Sequence, residues 1–130
     1  MKGLIRLALA GLLLTCFSQN LIFAQGDELK NTTPEERAEF LTQWMQSELS
    51  LDSAVVPVVY DINLKYSKKN QKIMDSGDQK IQKYKSFKAT SEAKDSELKN
   101  IFTLEQYNLY QEKKDELRQK MKERYRQKNS

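Results

Sequence analysis

The chain has 130 residues, a formal net charge of +4, no histidine and a single cysteine, Cys16, set in an apolar N-terminal segment. Once that segment is removed, thiol catalysis, imidazole base catalysis and any zinc or nickel site built on those ligands are excluded. Carboxylates, lysines, tyrosines and hydroxyls remain, and none sits in a Gly-rich loop or nucleophile elbow, so no enzyme and no cofactor is expected.

Met1 to Ala24 reads as a signal peptide. Lys2 and Arg6 form the basic start, Leu7 to Leu14 the apolar run, and Ile22-Phe23-Ala24 the cleavage site, so the mature chain begins at Gln25 in the periplasm. Thr15, Ser18, Gln19 and Asn20 interrupt the uncharged stretch, which argues against a spanning helix of ~20 apolar residues. Leu13-Leu14-Thr15-Cys16 is similar to a lipoprotein cleavage box, and a protein anchored through Cys16 is the alternative to the soluble form. Residues 25–32 form a polar arm without apolar periodicity, expected to be mobile. A single helical domain, 33–128, follows.

Thr33-Pro34-Glu35-Glu36 starts the first helix. Thr33 caps, Pro34 suits the first helical position, and both acids favour the positive end of the helix dipole. Phe40, Leu41, Trp44, Met45 and Leu49 form its apolar side. Trp44 and Met45 serve either as core or as an adaptable patch for a partner.

The second helix is expected from Asp52 or Ser53 to about Met74, with Leu51, Val55, Val58, Ile62, Tyr66 and Ile73 on one stripe. Pro57 lies too deep to be a first-position proline, so an irregular first turn should straighten after Val58. At ~100° per residue Lys69 falls inside the stripe, with Lys65 and Lys72 along its edge. Asp75-Ser76-Gly77-Asp78 breaks the pattern, Gly77 suiting a positive φ and Asp78 a cap. The third helix, to about Asn100, carries Ile81, Tyr84, Phe87, Leu98 and Ile101, with Ser91 and Asp95 on the same stripe.

The fourth helix runs from Leu104 to about Arg126, aligning Tyr107, Tyr110, Leu117, Met121 and Tyr125 with Lys114 among them. Folding back at Phe102 brings Asp95 level with Tyr110 and close to Lys114, so Asp95 should pair with one of them. This helix has a complete start in Phe102-Thr103-Leu104-Glu105-Gln106-Tyr107. Thr103 and Gln106 can form a capping box, and Phe102 can close on Tyr107 as a hydrophobic staple. A degenerate relative, Leu51-Asp52-Ser53-Ala54-Val55, stands at the mouth of the second helix, with Asp52 as its cap.

Two such entries in a short, exported, helical chain resemble the Spy/CpxP family of small periplasmic proteins, marked by a repeated Leu-Thr-x-x-Gln. One copy has Phe102 for Leu; the other has Asp52 for Thr and Val55 for Gln. The resemblance implies an antiparallel, cradle-like homodimer acting as an ATP-independent chaperone or envelope-stress protein.

Charge is unevenly placed. From Gln25 to Leu64 eight acids face two bases; from Lys65 onward eighteen Lys and Arg face ten acids. Narrow apolar stripes without strand-like alternation predict an all-α fold of about four helices. Lys69, Ser91, Asp95 and Lys114 interrupt those stripes and favour an open or hairpin-like arrangement, because unpaired charge is expensive to desolvate. In the chaperone reading, Lys65, Lys69, Lys72 and Lys114 attract unfolded or partly folded clients, and Trp44, Met45, Tyr66, Tyr107 and Tyr110 hold their apolar segments. The alternative is a structural or regulatory adaptor docking on an envelope partner such as a membrane sensor. Membrane-surface binding through the basic fourth helix ranks third. Nucleic acid is not an expected partner, given export and the sparse aromatic interleaving of the C-terminal lysines.

Overall fold

The computed structural model describes residues 31–128 and 130. The expected signal peptide, Cys16 and the expected arm through residue 30 lie outside them. The described residues form four helices and no strand: α1 (Pro34–Leu49), α2 (Val56–Asp75), α3 (Lys80–Ile101) and α4 (Leu104–Lys128).

α1 opens with a full capping box, more than the Thr33 cap read from the sequence. The Glu36 amide donates to Thr33 Oγ1 at 3.1 Å, and the Thr33 amide to Glu36 Oε2 at 2.9 Å. It closes on Ser50, which takes a left-handed conformation (φ 52°) and donates its amide to the Gln46 carbonyl. Thr32, the last residue of the expected mobile arm, is buried, and its carbonyl accepts from Arg37 Nη1 at 2.7 Å.

α2 starts later than expected, with Val55 as a cap that makes no side-chain bond. Asp52 therefore does not cap it; its carboxylate accepts from the Ala54 amide at 3.4 Å within the preceding turn. The delay places Pro57 in the first turn, where a missing N–H loses no intrahelical bond. The link to α3 also departs from expectation. Ser76 ends α2 in an extended conformation, Gly77 has no positive φ, and Gln79 rather than Asp78 precedes α3. An ammonium helps where glycine was expected: Lys83 Nζ donates to the Met74 carbonyl at 2.8 Å, satisfying an end group of α2.

The helices form two antiparallel layers of contact. α1 returns on α2 through Arg37, which bonds the Ser67 carbonyl and Gln71 Oε1, and through Asn63, whose Nδ2 donates to Thr42 Oγ1 at 2.9 Å. α3 runs back along α2, and α4 runs back along α1, where Lys113 pairs with Glu48 and Lys128 with Glu36. The core joins Leu41, Trp44, Met45 and Leu49 to Val59, Ile62 and Tyr66, then to Leu98, Phe102, Tyr110 and Leu117. Leu51, from the first motif-like stretch, and Phe102, from the second, both enter it. Leu98 is the one fully enclosed residue of α3; the N-terminal half of that helix buries none.

Candidate functional site

The Thr103–Gln106 capping box is formed. The Thr103 amide donates to Gln106 Oε1 at 3.0 Å, and the Gln106 amide to Thr103 Oγ1 at 3.2 Å. Gln106 also uses Nε2 to reach the Leu49 carbonyl at 3.4 Å, so the corner clasps the end of α1. The staple differs from expectation: the Phe102 ring meets Tyr110 edge-on at 6.0 Å, one turn beyond Tyr107. Glu105 is exposed, and Leu104 is 74% exposed.

The residues expected to hold clients do not share one surface. Trp44, Met45, Tyr66 and Tyr110 are buried in the core. For Trp44 and Met45 this agrees with the core reading: residues of α3 and α4 pack over that stripe. Lys65, Tyr66 and Lys69 gather around one acid. Lys65 Nζ donates to Glu97 at 2.6 Å, Tyr66 Oη donates to the same carboxylate at 2.7 Å, and the Lys69 ammonium lies 5.0 Å from the Tyr66 ring centre. The hydrogen bonds from Lys65 and Tyr66 hold Glu97 below the usual carboxylate range. Burial, helped by Glu97, pushes the Tyr66 phenol up to about 12.

A second cluster ties α3 to α4. Asp95 accepts from Tyr110 Oη at 3.0 Å and from Lys114 Nζ through its other oxygen. Asp95 thus pairs with both residues proposed from the sequence. Burial, reinforced by the Asp95 charge, raises Tyr110 above its ordinary range. Lys94, next along α3, is pushed down to about 8 by desolvation and by Lys114, with Asp95 opposing. Ammonium groups also lie over Tyr107 and Tyr110, and Arg124 over Phe40. Cation–ring packing of this kind fastens these side chains to the fold.

What remains open is the α2–α3 hairpin. Between residues 65 and 94 nine lysines face three acids, and no arginine occurs. Lys69, Lys72, Lys80, Lys85 and Lys88 are exposed, with no carboxylate within 4 Å among the described residues. Ile81 beside them is 53% exposed, and Tyr84 and Phe87 are half-buried. Of the lysines singled out from the sequence, Lys72 and Lys69 belong here; Lys65 and Lys114 are spent on Glu97 and Asp95. The signal for this surface was the run Lys80-Ile81-Gln82-Lys83-Tyr84-Lys85-Ser86-Phe87-Lys88, which no acid interrupts. By contrast, α4 neutralises much of its charge through Lys113–Glu48, Lys114–Asp95, Arg118–Asp115, Lys120–Glu116 and Lys128–Glu36.

The family model described as domain of unknown function (DUF4890) matches residues 19–110, which include α1 to α3 and the corner. No curated protein and no solved structure matches the chain.

Proposed function

We propose a polypeptide-binding role for this chain, which belongs to the DUF4890 family of domains of unknown function: a periplasmic, ATP-independent holding protein that meets unfolded clients with its α2–α3 hairpin. The observation that carries the reading is the set of five exposed ammonium groups without carboxylates among the described residues, placed beside Ile81, Tyr84 and Phe87. Exposed like charges attract acidic segments over ~8 Å at physiological salt. Small apolar contacts then hold a segment weakly enough for it to leave and fold. Lysine suits this better than arginine, whose planar fork favours fixed bidentate pairing. The Leu-Thr-x-x-Gln resemblance to Spy/CpxP proteins supports the same role, with the contact face moved from the enclosed aromatics to the hairpin.

The test is suppression of client aggregation by the chain expressed in full and purified after export. Suppression should weaken with salt and should be lost in the variant carrying Lys72→Gln, Lys80→Gln, Lys85→Gln and Lys88→Gln. No suppression at stoichiometric protein, at low and at high salt, would sink the reading. One dominant cross-linked partner together with inactivity toward clients would favour the adaptor instead.

A further inference from the structure

The two turns that flank α3 are built differently. The α2–α3 link contains Gly77, whereas the α3–α4 corner is only Phe102 and Thr103, and no Gly or Pro occurs after Gly77. A helix running through from Lys80 to Lys128 therefore meets no breaker, and threonine is tolerated within one. The bend depends instead on the Thr103–Gln106 box, the bond from Gln106 to the Leu49 carbonyl, the burial of Phe102 and the bonds of Asp95 to Tyr110 and Lys114, which straightening would move between chains.

α4 is fastened along α1. The row Glu36, Phe40, Trp44 and Glu48, spaced four apart on one side of α1, meets α4 with acids at its ends and rings between them. Lys128 pairs with Glu36, Arg124 lies over the Phe40 ring, Leu117 shares the core with Trp44, and Lys113 pairs with Glu48. Nothing in that seam requires α4 to come from the same chain. Ile101 and Leu104, 37% and 74% exposed, flank the corner. In a straightened helix they lie three residues apart on one side, where two such helices crossing antiparallel would cover one another.

We propose that α4 exchanges between two copies of this chain: the corner straightens, α3 and α4 become one helix, and each α4 docks in the α1 seam of the other copy. Glu36–Lys128 and Glu48–Lys113 then form between chains, and the exposed Ile101–Leu104 pairs meet at the crossing. Exchange of an identical element is an accessible route to a closed dimer, since it reuses contacts that each chain already makes. The exposed lysines Lys69, Lys72, Lys80, Lys85 and Lys88 of the hairpin are not part of this contact, so the proposal stands apart from client binding.

The experiment co-refolds equal amounts of unlabelled and nitrogen-15-labelled protein, joins ion pairs with a zero-length carbodiimide, and separates monomer from dimer. The expected result is a concentration-dependent dimer whose Glu48–Lys113 peptides mix isotopes, while those from the monomer do not. Thr103→Ala with Gln106→Ala should raise the dimer association constant about fivefold or more, as removal of a cap does to a helix end. Inserting Gly-Gly-Ser between Phe102 and Thr103 should lower it by a similar factor, because a longer hinge lets α4 fold back. Dimers whose Glu48–Lys113 peptides are all single-isotope, or a chain that stays monomeric even without the capping box, would overturn the exchange.

Discussion

The Tyr110 hydroxyl donates to Asp95 Oδ1 at 3.0 Å while Lys114 takes the other carboxylate oxygen, and this three-residue knot fastens α3 to α4 away from their corner. Its members are largely out of water: Tyr110 is 4% exposed, and the Asp95 and Lys114 side chains 17% and 19%. Asp95→Ala would strand an ammonium and a phenol in a poorly hydrated place. The expected loss is about 3 kcal/mol, in the range for breaking one side of a buried pair. Asp95→Asn, which keeps an acceptor for Tyr110, should lose less. Urea unfolding of both variants checks the ordering, and equal losses would mean that the Tyr110 bond contributes little.

Lys94 makes the stability of the fold depend on alkaline pH. Both oxygens of Asp95 are occupied by Tyr110 and Lys114, and desolvation pushes Lys94 down to about 8. Between pH 8 and about 10.5 the unfolded chain holds this proton and the folded chain does not, so stability rises with pH in that window. Tyr66 and Tyr110 act oppositely. Their folded ranges lie above the ordinary one, so above pH 10 the unfolded chain loses phenolic protons first and stability falls. The expected profile climbs by about 1 kcal/mol from pH 7 to 10 and then drops, the modest size reflecting the water that Lys94 still meets. Lys94→Met should flatten the climb and leave the drop, as read by denaturant midpoints across pH 7–11.

Local chemistry was legible in the sequence, and pairing between helices was not. Thr33, Thr103 and Gln106 lie three residues or fewer from the groups they satisfy, so the caps follow from spacing alone. Asp95 was placed correctly because the short corner at Phe102 fixes which residues of α3 and α4 lie level. Glu97 was not foreseen as the acid for Lys65 and Tyr66, since the register of α2 on α3 depends on a turn whose geometry Gly77 and Asp78 did not reveal. The sequence left Trp44 open between core and patch and offered Tyr66 to clients, for a related reason. Lysines and acids on the stripes looked like interruptions of a core, but across helices they neutralise one another and let the aromatic rings close beneath them.

Ser50 offers a test of backbone strain. With φ 52° and ψ 51° it occupies the left-handed region, where a Cβ is unfavourable, yet it must do so for its amide to close α1 on the Gln46 carbonyl. Ser50→Gly should stabilise the fold by about 0.5–1 kcal/mol, the usual advantage of glycine at such a cap. Ser50→Val, branched at Cβ, should destabilise it by more. Thermal unfolding of the pair decides: a Gly variant no more stable than the parent would show that the Ser50 conformation carries no strain to release.

Asn63 tests whether the polar seam between α1 and α2 contributes stability or merely specifies register. Its side chain is fully buried, with Nδ2 donating to Thr42 Oγ1 at 2.9 Å and lying 3.6 Å from Met45 Sδ, while Oδ1 finds no partner among the described residues. Thr42 already donates its own proton to the Ala38 carbonyl at 2.8 Å, so losing Asn63 removes an incoming bond without orphaning that hydroxyl. Asn63→Leu should therefore change stability by less than about 1 kcal/mol, one hydrogen bond being offset by release of the unpaired carbonyl. Asn63→Asp replaces the donor with a buried charge and should lose about 3–5 kcal/mol at pH 7. That penalty should shrink as pH falls toward the ordinary carboxylate range, because burial raises the folded Asp above its unfolded value of ~3.9 and protonation removes the charge. Urea midpoints at pH 7 and pH 4.5 separate the outcomes. If Asn63→Leu is as damaging as Asn63→Asp at neutral pH, the bond to Thr42 holds α1 on α2 and the unpaired carbonyl is a minor burden.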